Sequence, residues 1–188
     1  GPIDASIVDI GNPHVFIRGK DVGMTGTETA DEIDADKTLC DLLVKIRSHA
    51  AYSMGMISTP DRGKQESPAA PIIGMISPSQ DYDAPLSDRT VSASECDFLS
   101  RLMFMQQTHK TYAGTSTVCT GIASKLPGTI VHEACRNDAQ DRMEVRIGHP
   151  AGVIETESVV ELNGNDYEVK RATLGRTARR IMAGTVYI

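Results

Sequence analysis

Only two stretches of this chain read as helix, and almost everything else reads as short strands cut by turn residues. "DKTLCDLLVKIRSHAAYSMGM" (36–56) places Leu39, Leu42, Leu43, Ile46, Ala50 and Met54 on one stripe at the 3.6-residue period. A helix is expected there, starting near Asp34 or Asp36 and ending near Gly55. "STVCTGIASKL" (116–126) reads as a second, shorter helix, stopped by Pro127 and Gly128. The strand-like runs are "ASIVDI" (5–10), "HVFIR" (14–18), "PIIGMIS" (71–77), "FLSRLMFMQQT" (98–108), "TIVHEA" (129–134), "MEVRIGH" (143–149), "GVIETESVVEL" (152–162) and "YEVKRATLGRT" (167–177). "GNP" breaks the first two runs apart and predicts a kink or bulge, because Gly permits unusual dihedrals and Pro removes a donor. "NGND" (163–166) predicts a hairpin turn. The last residues, "RTARRIMAGTVYI", read as a helical turn and a final strand. "STPDRGKQESPAA" (58–70) and "PSQDYDAPLSD" (78–88) read as loops, the first of them mobile. With about seven strands, two good helices and no βαβ alternation, the pattern predicts an α+β domain with a mainly antiparallel sheet.

The length, 188 residues, suits one domain. With no Trp and three Phe, the core must be aliphatic and rich in Met, and Met54, Met56, Met75, Met103 and Met105 are expected to fill it. The net charge of −6 argues against nucleic acid and against a polybasic membrane patch. No apolar run approaches the ~20 residues of a membrane span. Cys40, Cys96, Cys119 and Cys135 are widely spaced, with neither CxxC nor a zinc-like Cys/His pair, so reduced thiols, a cytoplasmic setting and no metal are expected. Cys119, Cys40 and Cys135 read as packing residues.

Three elements carry chemistry. In "HKTYAGTSTVCTGIASKLPGT" (109–129) a basic pair runs into small hydroxylated residues at a helix start. A helix start has unpaired N–H groups and the positive end of the macrodipole. Gly114 lets an anion approach, Thr115, Ser116 and Thr117 add hydroxyls, Lys110 adds charge, and His109 can donate a hydrogen bond or move a proton. An ordinary N-cap explains the same residues without a ligand. The P-loop pattern is missing, so a nucleotide is not expected. In "GNPH" the amide of Asn12 offers a donor and an acceptor to a ligand, or satisfies its own turn. "GHPAG" (148–152) is a Gly/Pro corner carrying His149 and reads first as a tight turn between strands. Arg176, Arg179 and Arg180 read as a solvated basic turn.

"SIVDIGNPHVFIR", "THKTYAGTSTVCTGIASKLPGTIV", "GHPAG" and "RTARRIMAGTVYI", in that order, resemble the C-terminal half of the PrpF-type 2-methylaconitate cis–trans isomerases, within the diaminopimelate-epimerase-like superfamily. The resemblance covers nearly the whole chain. It implies two related domains, each a sheet wrapped around a central helix, with the active site in the cleft between them. The chain is then a single domain, the C-terminal half, and its partners are a small tri- or dicarboxylate and the N-terminal half of the same protein, with a homo-oligomer also open. The resemblance further implies cofactor-independent proton transfer that moves or rotates a C=C bond in an acid of the 2-methylaconitate or aconitate class. Asn12, His109, Lys110, Gly114, Thr115, Ser116 and Thr117 would bind substrate, with His109 the only candidate proton carrier in this half. The acid/base Lys and Cys would come from the other half. Ala113 stands where an epimerase's second Cys would be. The chain departs from the family at Ser116-Thr117, where Gly-Ala is usual, at Phe104-Met105-Gln106, where a Ser-Met-Gly-like segment is usual, and at Ala151, where Ser is common. The competing reading is a non-catalytic carboxylate-binding or purely structural domain.

Overall fold

A computed structural model describes residues 1–164, 166–175, 179–186 of the chain. The order of elements is β1 (Ser6–Asp9), β2 (Pro13–Arg18), α1 (Ala30–Ala35), α2 (Lys37–Ser53), α3 (Gly63–Glu66), β3 (Ile72–Pro78), β4 (Tyr82–Ala84), β5 (Arg89–Val91), β6 (Phe98–Phe104), β7 (Gln107–Thr108), α4 (Gly114–Ala123), α5 (Ile130–Ala134), α6 (Asn137–Gln140), β8 (Glu144–His149), β9 (Gly152–Asn163) and β10 (Asp166–Ala172). The main sheet runs β1-β2-β3-β6-β8-β9-β10, with β7 paired to β6.

The sheet is α+β in class but mixed in direction. β2 pairs with β3, and β6 with β8, in parallel; the other pairs are antiparallel. Parallel neighbours need a long crossover. α1 and α2 supply one and α4 to α6 the other, so two βαβ units exist where the sequence predicted none.

Side-chain alternation gives the sheet two faces. Phe16, Ile72, Ile76, Phe98, Leu102, Val145 and Ile147 point inward and surround Cys119, Ile122 and Ala123 of α4. Val15, Ile17, Ile73, Met75 and Met103 point outward and pack on Ile33, Leu43 and Val44 of α1 and α2. Each such side chain, fully buried, stabilises the fold by ~1.5–3 kcal/mol. The β4–β5 hairpin covers Leu99 on the outer face.

Several expectations need correction. The Gly-Asn-Pro segment is not a kink but the tip of a hairpin: Asp9 lies opposite Pro13, and Gly11 takes a φ of 73°. "TIVHEA" is helix α5, not strand; the Thr129 hydroxyl accepts from His132 N at 3.1 Å, and Ile130 and Val131 reach the inner core from a helical turn. A six-residue run is too short to separate the two periods. The run 98–108 reverses at Met105 and Gln106, whose φ values of 49° and 65° suit a tight hairpin turn. Met105 is therefore exposed, while Met75 and Met103 are core. Segment 58–70 holds α3, pinned where Glu66 accepts from Ser58 N at 2.7 Å. The loop expected at 78–88 contains β4.

Asn163 lies opposite Asp166 across the β9–β10 hairpin. Asn165 of the expected turn lies outside the described residues, as does Arg176 of the basic cluster. Residues 179–186 form neither helix nor strand, and the rest of the expected final elements (176–178, 187–188) lie outside the described residues. No helix among the described residues is long and apolar enough to cross a membrane.

Candidate functional site

The first turn of α4 is open. Ala113 occupies the N-cap and offers no side-chain acceptor. The first intrahelical bond runs from Thr117 N to Ala113 O at 2.9 Å. The N–H groups of Gly114, Thr115 and Ser116 therefore precede any carbonyl that the helix could give them.

The tip of the β1–β2 hairpin faces this turn. Asn12 Nδ2 donates to Thr115 Oγ1 at 3.3 Å. Two residues on, His14 is fully buried. Its Nδ1 lies 2.8 Å from the Asn12 carbonyl and its Nε2 lies 2.8 Å from Ser116 Oγ. A carbonyl only accepts, so Nδ1 carries the proton and Nε2 accepts a hydrogen bond from the Ser116 hydroxyl. Burial holds the His14 pKa below the ordinary value, which keeps the ring neutral and this relay intact. Strand alternation places His14 on the same inner face as Phe16, the signal that would have found it in the sequence.

The segment that leads into α4 follows β7. His109 N donates to Leu102 O at 2.8 Å, and its Nδ1 accepts from Thr111 N at 3.1 Å, leaving the proton on Nε2. Tyr112 is buried and shares hydrogen bonds with Ser100 Oγ at 2.8 Å and Thr120 Oγ1 at 2.9 Å. Burial raises its phenol pKa, so it remains a neutral donor. The His149 ring lies 5.9 Å from the Tyr112 ring. The corner carrying His149 is a tight turn, with His149 opposite Gly152.

Of the predicted residues, the fold brings Asn12, Gly114, Thr115 and Ser116 together, while His109 lies five residues before Gly114 and bonds Leu102 and Thr111. Three make contacts that the sequence did not suggest. Ser116 spends its proton on His14. Thr117 is buried and its Oγ1 donates to Ala113 O at 3.1 Å. Lys110 pairs at the surface with Asp31 at 3.0 Å.

The four cysteines are free. Burial pushes the thiol of Cys119 up to about 12 and those of Cys96 and Cys135 to about 11, and raises that of Cys40. Such thiols are poor proton carriers near neutral pH. Among the described residues no group of three His, Cys, Asp or Glu side chains stands together as a metal site.

The fold is similar to that of a solved structure, "Crystal Structure of Methylitaconate-delta-isomerase" (TM-score 0.89, 48% identity, 97% of this chain and 46% of that one). The chain belongs to the PrpF protein family, whose model matches residues 1–188. It is 48% identical over its whole length to a 3-methylitaconate isomerase of Eubacterium barkeri, covering 48% of that protein. It is 32% identical to a 2-methyl-aconitate isomerase of Shewanella oneidensis, covering 46% of it. The chain thus spans about half the length of the curated relatives it matches.

Proposed function

We propose that this chain is the carboxylate-gripping, C-terminal half of a cofactor-independent isomerase of diaminopimelate-epimerase-like fold, which moves a C=C bond in a small unsaturated acid. The observation that carries this is the uncapped start of α4 with the Asn12 amide bonded across its first turn. That arrangement suits one carboxylate oxygen on the N–H groups of Gly114 to Ser116, with Asn12 and Thr115 beside it.

In such a reaction a base removes a proton from the carbon allylic to the double bond. The electron pair spreads into the adjacent carboxylate as a dienolate, and a proton returns at the far carbon. The carboxylate gains charge as the proton leaves. Donors already aimed at it are worth more in that state than in the bound substrate. This half supplies those donors, with His109 Nε2–H at the rim. Three of its thiols are buried and the fourth, Cys40, is partly buried, and all four are held above their ordinary pKa; this supports taking the proton carriers, a Lys and a Cys by the family resemblance, from the N-terminal half. The greater likeness to the methylitaconate enzyme favours a dicarboxylate of that class over the tricarboxylate suggested by the sequence motifs.

Proton NMR in deuterated water tests the reading. The full-length protein should exchange and interconvert the vinyl and methyl protons of a 3-methylitaconate-type acid faster than those of cis-aconitate. This chain alone should broaden substrate lines without exchange. A full-length protein that neither exchanges nor interconverts any of these acids would sink the proposal.

A further inference from the structure

His149 stood in the sequence as part of a turn, and the carboxylate grip described above makes no use of it. Its side chain is nevertheless 7% exposed, on the inner face of β8 two residues beyond Ile147. Its Nδ1 accepts from Ala151 N at 3.2 Å, which fixes the proton on Nε2. No described residue accepts from Nε2. It is also absent from the buried nitrogens cut off from solvent, which include Arg47 Nε and Arg101 Nη2. A buried ring with one nitrogen pinned and the other neither bonded nor fully shielded is a donor awaiting an acceptor.

We propose that His149 is a further substrate-contacting residue of this site: its Nε2–H, oriented by Ala151 and flanked by Tyr112, donates a hydrogen bond to a carboxylate oxygen held at the start of α4. This deepens the function proposed above and rests on it. The surroundings keep the ring a neutral donor. Arg101 from β6, His109 and Tyr112 from the segment before α4, Tyr82 from β4 and Cys96 before β6 are the titratable groups around it. Burial, then the charges of Arg101 and His109, lower the His149 pKa to about 4. Arg101 itself is fully buried, over the Tyr82 ring and 3.5 Å from Gly148 O, and acts only as a positioning charge behind the backbone that carries His149. A neutral imidazole can polarise a carboxylate oxygen without the energetic cost of a buried cation.

Nitrogen-15 NMR of this chain, with mesaconate as the probe, reads the donor directly. The expected result is a proton on Nε2 from pH 8 to pH 5, and an Nε2 resonance that shifts on mesaconate addition together with the Gly114 and Thr115 amides. Amides that shift while His149 does not would overturn the role of His149 and leave the carboxylate grip standing. A proton found on Nδ1 would also overturn that role, and silence of both sets would overturn the role and the grip together. In the full-length protein, His149→Phe should cost about 100-fold in kcat/KM, the scale of one lost transition-state donor, and His149→Gln should restore most of it. Equal activity of Phe and Gln variants overturns the inference. A wild-type protein with no isomerase activity, but with a mesaconate-responsive Nε2, overturns the function and keeps the contact.

Discussion

The two long helices of this chain begin in opposite ways. α2 starts at Asp36, whose carboxylate accepts from Leu39 N at 3.0 Å, and the short α1 before it is closed by a reciprocal pair, Thr29 with Glu32. α4 starts at Ala113 and is closed by nothing of its own. α2 lies outside the sheet and presents an aliphatic stripe to it. α4 lies inside, and its buried positions include Ser116, Thr117 and Thr120 as well as Cys119 and Ile122. A helix needed only for packing is given its cap and its acidic charge. A helix start that receives an anion, as proposed for α4, has to leave both out and accept the loss, about 1 kcal/mol for a missing cap.

The largest effect should come from making the second start resemble the first. Ala113→Asp should raise thermal stability by about 1 kcal/mol, as a good cap does. It should weaken carboxylate binding by ~1000-fold, the scale of like-charge juxtaposition. Unchanged mesaconate affinity in a titration, despite the higher melting temperature, would break the comparison.

Acid should find the α4 side first. His14 and His149 are both held neutral by burial, with pKa values below 6.5. Between those lowered values and 6.5 the unfolded chain binds more protons than the folded one, so stability is present above pH 6.5 and is lost as pH falls towards 4. For His149 the loss at pH 4.5 is about 2–3 kcal/mol. Urea unfolding at pH 7.5 and 4.5 should show a smaller drop for His149→Gln than for the parent; parallel drops would count against it.

The closeness of α4 to the sheet can be probed at Gly121. A Cβ there would stand 2.5 Å from Ser158 Oγ and 2.6 Å from Thr156 Cγ2. Gly121→Ala should cost about 1–3 kcal/mol by overpacking, read as a lower melting temperature. The smallest effect belongs to α2. Asp36→Ala should cost about 1 kcal/mol and leave mesaconate binding untouched. A matching loss of binding would mean that the two starts are not independent.

Much of this was legible in the chain. The stripe from Leu39 to Ala50 and the cap at Asp36 located α2 to within a residue or two. The Ser/Thr-rich start before Pro127 located α4, because local capping and breaking signals act within a turn. Sheet direction was not legible. Whether β2 meets β3 in parallel depends on where α1 and α2 lead the chain, and no short window contains that information. α5 was lost because Ile130 and Val131 suit a strand equally well until Thr129 caps them. Within the site, Asn12 and Gly114 to Ser116 could be named from residue type. The roles of His14 and His149 could not be read from residue type, since they depend on which ring nitrogen is occupied, set by the Asn12 carbonyl and the distant Ser116 hydroxyl for His14 and by the Ala151 N–H for His149. The surface pairing of Lys110 with Asp31 was not legible either, because Asp31 lies far back in the sequence.

The contacts that shape the site bridge very distant parts of the chain: Asn12 to Thr115 spans 103 positions and His14 to Ser116 spans 102. Loops of that length close late in folding, after the local hairpins and helices have formed. No partly assembled intermediate can therefore hold the grip, and a nascent chain lacks it until α4 has emerged and docked. Carboxylate binding would then serve as a sensor of completed folding, and a ligand that binds only there would protect the β1–β2 tip and the α4 start from hydrogen exchange as a single unit.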